Sequence, residues 1–336
     1  MASRSESLRK GFSTSACAAA AACAAIHECS TGKVTDHVEI MLYSHGPFRF
    51  DCIRHEPEPG SACYGVIKDA GDDPDVTNGL EVRVCVCQNR LGYFRIYGSS
   101  GVGIITRPGL PVPIGEPAIN PGSRRLIESV LLQFCSKEGL SGGFDLTISV
   151  PEAESIAQKT MNPKLGIEGG ISILGTDGFV HPYSAPAWRF SLIRSLDYAQ
   201  ANGWQRIGLA TGKRSSLYLE TICSDAFVVD TGDELAYPLE QMQRYSFKRF
   251  ILGGMIGKFS KTAQGRFQTH VDQGGIDFPF LAELASEQGA DKNLTEFVRN
   301  AVTAHQVQNR LAEVGIYLES ELARRTAKAV FSKYNI

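Results

Sequence analysis

The hydrophobic pattern of this chain changes character about halfway along. In the first part, apolar and polar positions alternate with a period of two. This alternation predicts strands at residues 35–41, 48–53, 80–86, 92–97 and 144–150. The segment 92–97 is predicted to pair with 80–86 across a short turn, and apolar residues at helical spacing predict a helix at 123–137. Several strands with few helices indicate an α+β domain.

An alanine-rich segment at 16–26 predicts a further helix near the amino terminus. Alanine is the strongest helix former, and Ser13, Thr14 and Ser15 supply hydroxyl groups that can cap a helix N-terminus. Basic residues at positions 4, 9 and 10 give the segment a superficial likeness to a secretory signal, but the run consists of alanine rather than leucine. We therefore expect a packed helix of a folded, cytoplasmic protein.

In the second part, short apolar strands alternate with helical segments. Strands are predicted at Arg206–Ala210, 226–230 and Arg249–Gly253, each followed by a turn and a helical pattern. This order is typical of a parallel sheet with crossover helices, and such sheets bind ligands at the carboxyl ends of their strands. The pattern from 294 to 331 is helical, with Gly315 as its one predicted interruption.

These patterns predict two domains. An α+β domain at 1–184 is followed by an α/β domain at 185–336, which has a short, Rossmann-like parallel sheet and C-terminal helices. The boundary is placed where proline and serine accumulate, between residues 182 and 186.

Composition and charge exclude several classes of protein. The chain has 336 residues, of which 43% are hydrophobic and 21% charged, as in ordinary globular domains. A net charge of -2 argues against a nucleic-acid partner, and no run of about 20 apolar residues suits a membrane span. The 9 cysteines are scattered and lack zinc-site spacing, so we expect reduced thiols and no metal site. Assembly into homo-oligomers is left open.

The segment 68–79 concentrates aspartates in a turn-rich loop. Asp69, Asp72, Asp73 and Asp75 should repel one another, which raises the pKa of at least some of them. The glycine and glutamate of an EF-hand loop are not in place. One interpretation is a solvated acidic turn; the other is that these carboxylates orient a substrate or accept a proton. In either case we expect the loop to face solvent.

Three further segments combine glycine, proline and charge without periodicity. Residues 101–121 predict a stiff, proline-rich loop, and arginines within and just after it suit carboxylate ligands or an ordinary exposed surface. Residues 162–178 are rich enough in glycine for the backbone to approach a ligand or another chain segment closely. Residues 253–259 form a glycine-rich turn after a strand, where a cofactor loop would lie, although Lys258 lacks Walker spacing.

Taken together, these segments resemble the cobalt-precorrin-5B C1-methyltransferases of the CbiD type. The likeness covers nearly the whole chain: it begins at 8–14 with Cys17 and continues through 68–79, 101–121, 151–178, 253–265 and Thr269-His270. The chain departs from the family pattern, mostly in the second domain, at Ser15, Thr211-Gly212-Lys213, 230–242, Met255 and Gln268.

The resemblance implies S-adenosylmethionine-dependent methyl transfer to C1 of cobalt-precorrin-5B, a cobalt-containing tetrapyrrole, giving cobalt-precorrin-6A. Such a transfer mainly requires positioning. We expect the tetrapyrrole on domain 1–184 and S-adenosylmethionine on domain 185–336. The candidate catalytic residues are Asp69, Asp72, Asp73, Asp75 and His270. The candidate substrate-binding residues are Lys68, Thr77, Arg107, Arg124, Arg125 and Lys164. The candidate cofactor-binding residues are Thr211, Gly212, Gly253, Gly254, Gly257 and Lys258.

Two other functions fit parts of the pattern. A non-catalytic corrinoid-binding relative would account for the intact loops of the first domain and the substitutions in the second. A nicotinamide-dependent oxidoreductase would fit the alternating strands, but the three-glycine fingerprint is missing. Binding of S-adenosylmethionine separates the first function from the second, and binding of NADH would support the third. A lone histidine such as His270 is also more often structural than catalytic.

Overall fold

The computed structural model describes residues 8–43, 46–56 and 58–336. It is a mixed α/β structure with several small sheets, and it divides into two compact units, one ending at Ser184 and the other spanning Ala185–Ile336. The roles predicted for the two domains stay predictions. Arg4, the first basic residue of the signal-like segment, lies outside the described residues.

The first unit consists mainly of strands. Its elements are β1 (Gly11–Phe12), α1 (Thr14–Thr31), β2 (His37–Met41), β3 (Pro47–Asp51), β4 (Ile53–His55), β5 (Ser61–Ile67), β6 (Glu81–Asn89), β7 (Arg95–Gly98), β8 (Gly101–Val102), β9 (Ile104–Ile105), α2 (Pro121–Glu138), β10 (Gly143–Ser149), α3 (Ala153–Ala157), β11 (Ile167–Glu168), β12 (Gly170–Ile171) and β13 (Phe179–Val180).

The predicted alanine-rich helix is confirmed as α1, which lies in the core of this unit. The hydroxyl of Ser13 accepts a hydrogen bond from the backbone N–H of Ala16 and so caps the helix. Gly32 ends it with a φ of 71°, a left-handed conformation that suits glycine. Residues 14–26 are buried on every side because their side chains are small enough for β5, β6 and α2 to pack closely around them.

A five-stranded sheet packs against α1 in the order β4-β5-β6-β10-β7. Val82, Val84 and Val86 of β6 alternate inward, as the sequence predicts. The predicted pairing of 92–97 with 80–86 is wrong, since β10 lies between them and pairs in parallel with β7. The segment 48–53, predicted as one strand, covers most of β3 and the first residue of β4.

Cys63 and Cys85 lie directly opposite each other on the adjacent strands β5 and β6 and form a disulfide. The expectation of reduced thiols is therefore wrong for this pair, whose register is not visible in the sequence. The other cysteines are free, and four of these are buried: Cys17, Cys23, Cys52 and Cys135.

The glycine-rich segments of this unit pair with each other. Strands β8 and β12 run parallel, while β9 and β11 run antiparallel. A Cβ atom on Gly170 would lie 2.2 Å from the carbonyl oxygen of Gly101, and one on Gly101 would lie 1.8 Å from that of Val150. Glycine is therefore required here for close approach of chain segments, one of the two predicted reasons for its density.

The second unit contains a parallel sheet and a group of helices. Its elements are α4 (Ala185–Ala201), β14 (Arg206–Ala210), α5 (Lys213–Ile222), β15 (Phe227–Asp230), α6 (Ala236–Gln241), β16 (Arg249–Gly253), α7 (Ile256–Thr262), α8 (Phe278–Glu287), α9 (Lys292–Arg299), α10 (Ala304–Ala312) and α11 (Glu319–Tyr334).

The three predicted strands of this unit form a parallel sheet in the order β15-β14-β16, and a helix follows each of them. The finer Rossmann-like assignment stays a prediction. The helical segment after residue 291 is interrupted twice, at 300–303 and 313–318, rather than at Gly315 alone. Its apolar residues pack with α8 around a core that includes Leu284, Val298 and Val307.

Within the described ranges, no helix is both long and apolar enough to cross a membrane. The cytoplasmic location expected from the sequence stays a prediction.

Candidate functional site

The acidic loop of the first unit is tied to the segment that precedes α1. The guanidinium of Arg9 donates two hydrogen bonds to the carboxylate of Asp69, at 2.6 and 2.9 Å. The backbone N–H of Arg9 donates to Asp72 at 2.6 Å, and that of Phe12 donates to the carbonyl of Asp69 at 2.7 Å. Two segments that carried the family resemblance are thus joined in space.

The contacts of Asp69 all favour its ionised form. The hydrogen bond from Arg9, supported by the backbone N–H of Gly71, lowers the pKa of Asp69 to about 2. Mutual repulsion, which was expected to raise the pKa of at least some of these aspartates, does not raise that of Asp69. A carboxyl group this acidic is a weak proton acceptor near neutral pH, so the geometry favours an orienting role.

Lys68, Asp75 and Thr77 form one polar cluster in which the lysine is buried and the other two residues are half-buried. The Lys68 side chain is only 2% exposed, and its Nζ lies 2.7 Å from Oδ2 of Asp75. The other oxygen of Asp75 accepts from the backbone N–H and hydroxyl of Thr77, at 2.8 and 2.6 Å. Burial alone would raise the pKa of Asp75, but the charge of Lys68 and these hydrogen bonds bring it below its usual value.

This cluster closes the base of the loop, where the backbone N–H of Gly79 donates to the carbonyl of Lys68 at 2.8 Å. The expectation that the loop faces solvent is therefore wrong for Lys68 and Asp75. Asp73 is half-buried, and its carboxylate accepts from the backbone N–H of Tyr183 at 3.1 Å.

The predicted carboxylate-binding residues lie in two places. Both the N–H and the hydroxyl of Thr106 donate to the carbonyl of Gly166. Arg107, which follows β9, and Lys164, which precedes β11, therefore lie at the same end of this strand pair. Arg124 and Arg125 lie together in the first turns of α2. Arg107 and Arg125 are exposed, and neither has an ion-pair partner in the described part of the chain.

The predicted cofactor residues of the second unit gather at the carboxyl edge of its parallel sheet. Thr211 follows β14, and its backbone N–H donates to the carbonyl of Gly253 at the end of β16, at 2.9 Å. A Cβ atom on Gly254 would lie 2.8 Å from the hydroxyl of Thr211 and 2.5 Å from the ring of Phe259. Gly254 must therefore stay glycine for these two loops to meet.

The hydroxyl of Thr211 is buried and has no hydrogen-bond partner among the described residues. Buried polar atoms are nearly always paired, so one left unpaired at a sheet edge is suited to bind a polar ligand group. The edge therefore fits a small polar cofactor.

Next to Thr211, a network of charged residues joins the loop after β15 to α7. The carboxylate of Asp233 accepts from Nζ of Lys258 and from the hydroxyl of Thr269, the latter at 2.8 Å. Nζ of Lys261 donates to the carbonyl of Thr269 at 2.9 Å. Burial would raise the pKa of Asp233, but Lys258 and Thr269 lower it overall. Lys258, a predicted cofactor ligand, is thus already ion-paired.

The acidic pair Asp233 and Glu234 was not among the residues predicted from the sequence. Glu234 accepts from Nε of Arg189 at 2.7 Å and from the amide of Gln268 at 2.6 Å, which links α4 to the loop before His270. Both residues follow a predicted strand at the edge where ligands bind, so the rule applied to Thr211 could have identified them. Their segment, 230–242, is one of those in which the chain departs from the family pattern.

The remaining predicted residues make local packing or capping contacts. Gly212 precedes α5 with a φ of 143°, and a Cβ atom on Gly257 would lie 3.2 Å from Ile276. The ring of His270 accepts a hydrogen bond from the backbone N–H of Asp272 at 3.3 Å and caps a short 3-10 turn. His270 belongs to the second unit, whereas the aspartates of the predicted catalytic set belong to the first.

Comparisons with known proteins agree over both units. The CbiD family profile matches residues 1–182, and the profile of the CbiD C-terminal domain matches 268–335. The cobalt-precorrin-5B C(1)-methyltransferase of Geobacillus kaustophilus is 41% identical over 314 residues, which are 92% of this chain and 84% of that protein. The protein of the same name from Priestia megaterium is 40% identical over 316 residues, covering 92% and 85%.

The protein of that name from Pseudomonas syringae pv. tomato is 38% identical over 321 residues, covering 94% of this chain and 86% of the relative. Among solved structures, a cobalamin biosynthesis protein (CbiD) from Archaeoglobus fulgidus is 27% identical. It covers 79% of this chain and 84% of its own, with a TM-score of 0.42.

Proposed function

This chain belongs to the CbiD family, and from that membership we infer that it transfers a methyl group to C1 of cobalt-precorrin-5B in cobalamin biosynthesis. The observation that carries this inference is the extent of the similarity. Relatives with this named activity align over 92% of the chain, so both units are included.

The methyl donor in this proposal is S-adenosylmethionine. When bound, it supplies a methyl group already activated by a positively charged sulfur, so the protein's main task is to position the two reactants. Transfer of that methyl group to C1 would break the carbon–sulfur bond and leave its electrons on sulfur. No further oxidant or reductant is needed.

The carboxyl edge of the second unit's sheet is the proposed donor site. The unpaired hydroxyl of Thr211 would hydrogen-bond the donor, and Gly212, whose Cβ position has no other atom within 4 Å, would allow its close approach. Asp233 would act indirectly, since it holds Lys258 and Thr269 beside this edge. The same chemistry does not support a nicotinamide site, because the three-glycine fingerprint is lacking.

The first unit is the proposed tetrapyrrole domain. Cobalt-precorrin-5B carries acetate and propionate arms, and Arg107, Arg125 and Lys164 are the proposed partners for some of these carboxylates. Asp72 and Asp73 are the proposed groups that orient the ring. Asp69 and Asp75 would hold the loop in place, since their oxygens are already bonded to Arg9, Lys68 and Thr77.

A labelling experiment tests this function. The purified protein is mixed with cobalt-precorrin-5B, generated by the preceding enzymes, and with S-adenosylmethionine labelled in its methyl group. We expect the label to appear at C1 of the tetrapyrrole, detected by mass spectrometry and NMR, together with one equivalent of S-adenosylhomocysteine. If the protein binds the tetrapyrrole and transfers no label, the non-catalytic corrinoid-binding function is correct instead.

A further inference from the structure

A groove of about 440 Å³ opens in the first unit between β7 and the proline-rich loop that follows β9. Its volume lies in the range of small-molecule sites. Most of its wall is apolar and comes from Tyr97, Val112, Pro113 and Pro117, while Arg124 contributes the cationic group. None of the functions assigned above uses this groove as a whole.

The guanidinium of Arg124 is half-buried in the groove wall and is held in one orientation. Its Nη1 donates to the backbone carbonyl of Ile96 at 2.8 Å, which leaves other N–H groups for a ligand. Glu116 also lines the groove, but no ion pair joins it to Arg124, and no other described carboxylate pairs with this arginine. A partly dehydrated guanidinium without a counter-ion favours an anionic ligand, above all a carboxylate.

The walls of the groove are stiff before any ligand arrives. Proline restricts the backbone of the loop, and the loop packs tightly on β7, since a Cβ atom on Gly98 would lie 2.5 Å from the Cβ of Pro117. A stiff groove loses little conformational entropy on binding. Its shape and apolar surface therefore suit a rigid, flat ligand better than a flexible chain.

We propose that this groove binds one apolar edge of the tetrapyrrole macrocycle and that Arg124 holds one of its carboxylate arms. The choice of occupant rests on the proposed function. The macrocycle offers the two features that the groove complements, a rigid apolar ring and several carboxylates. Tyr97 and the prolines contact the ring edge, and the groove decides which edge of the macrocycle faces the protein.

Absorbance titration with cobalt uroporphyrin, a tetrapyrrole with acetate and propionate arms, tests the role of Arg124. Loss of a charge-assisted hydrogen bond should weaken binding about 10- to 100-fold in Arg124→Gln. Arg90→Gln, which removes an exposed arginine of the same unit outside the groove, should bind like the wild type. Equal affinity of Arg124→Gln and Arg90→Gln, or no binding by the wild type, overturns the proposal.

A second pair of variants tests the groove without touching Arg124. Val112→Glu places a negative charge in the wall, whereas Ile114→Glu makes the same change at an exposed position of the same loop outside the lining. We expect a loss of at least tenfold for Val112→Glu alone, with both variants melting like the wild type. Equal affinities overturn the proposal.

The methylation assay distinguishes failure of the groove proposal from failure of the proposed function. A wild type that binds the probe through the groove but transfers no methyl group contradicts the function and supports the groove. A wild type that methylates, with unchanged affinity in Arg124→Gln and Val112→Glu, contradicts the groove alone.

Discussion

The acidic loop of the first unit and the carboxyl edge of the second unit's sheet both gather polar side chains, but they use their hydrogen bonds differently. In the loop, the carboxylates of Asp69 and Asp75 are bonded to Arg9, Lys68 and Thr77. At the sheet edge, the hydroxyl of Thr211 is buried and unpaired among the described residues. A dense cluster of charge in a sequence can therefore be bonded within the protein, while a single uncharged residue keeps an unpaired polar atom.

The largest effect should follow from Asp75→Asn. This change leaves the charge of Lys68 in a site where its side chain is 2% exposed, which should cost about 3 kcal/mol of unfolding free energy. Urea unfolding followed by far-UV circular dichroism measures the loss.

The double variant Lys68→Met with Asp75→Asn is the matched control for this prediction, because it removes the buried charge as well. It should be more stable than Asp75→Asn alone. If Asp75→Asn unfolds at the wild-type urea concentration, the loop is not held by this pair and the solvent-facing interpretation returns.

A smaller effect is expected for Asp233→Asn at the sheet edge. The carboxylate is partly exposed, so its loss from the Lys258 and Thr269 network should cost about 1 kcal/mol. Tryptophan fluorescence can follow unfolding here, since Trp188 bonds the carbonyl of Thr231 two residues before Asp233. A drop in stability as large as that of Asp75→Asn would show that both regions are held by charge in the same way.

The smallest effect on stability concerns the exposed pair of Arg9 and Asp69. Because the hydrogen bond from Arg9 lowers the pKa of Asp69 to about 2, its contribution is complete above the unfolded value of about 3.9 and is lost as pH falls toward 2. The melting temperature should therefore fall less between pH 5 and pH 2 in Asp69→Asn than in the wild type. If the melting temperatures of the two proteins fell by the same amount between pH 5 and pH 2, the Arg9–Asp69 pair would contribute nothing to stability.

The sequence predicted the elements whose pattern is local. The alanine-rich helix and the strands of the parallel sheet were correct because capping hydroxyls, alanine content and short apolar runs can be read without tertiary contacts. Strand β5 was missed, because its residues 62–66 are buried on both faces and show no alternation. The pairing of β7 with β10 depends on strand order, which no local pattern contains.

For the candidate site too, some features could be predicted from the sequence and others depend on tertiary contacts. Residue chemistry and the carboxyl-end rule predicted Thr211 and Gly254 as cofactor ligands, and the structure places the two beside each other. The same chemistry could not show that Lys68 is buried, or that Lys258 is engaged by Asp233. Those facts depend on which segments pack together, and charge in a sequence carries no information about its partner.

The most direct test of this account is calorimetric titration of S-adenosylmethionine, with S-adenosylhomocysteine and NADH alongside, into the wild type, Thr211→Val and Thr211→Ser. Valine keeps the shape of threonine and removes the hydroxyl, whereas serine keeps the hydroxyl. We predict that the wild type and Thr211→Ser bind S-adenosylmethionine and not NADH, and that Thr211→Val binds it about tenfold more weakly. Equal affinity in Thr211→Val, with the protein folded, would contradict the claim that this unpaired hydroxyl marks the donor site.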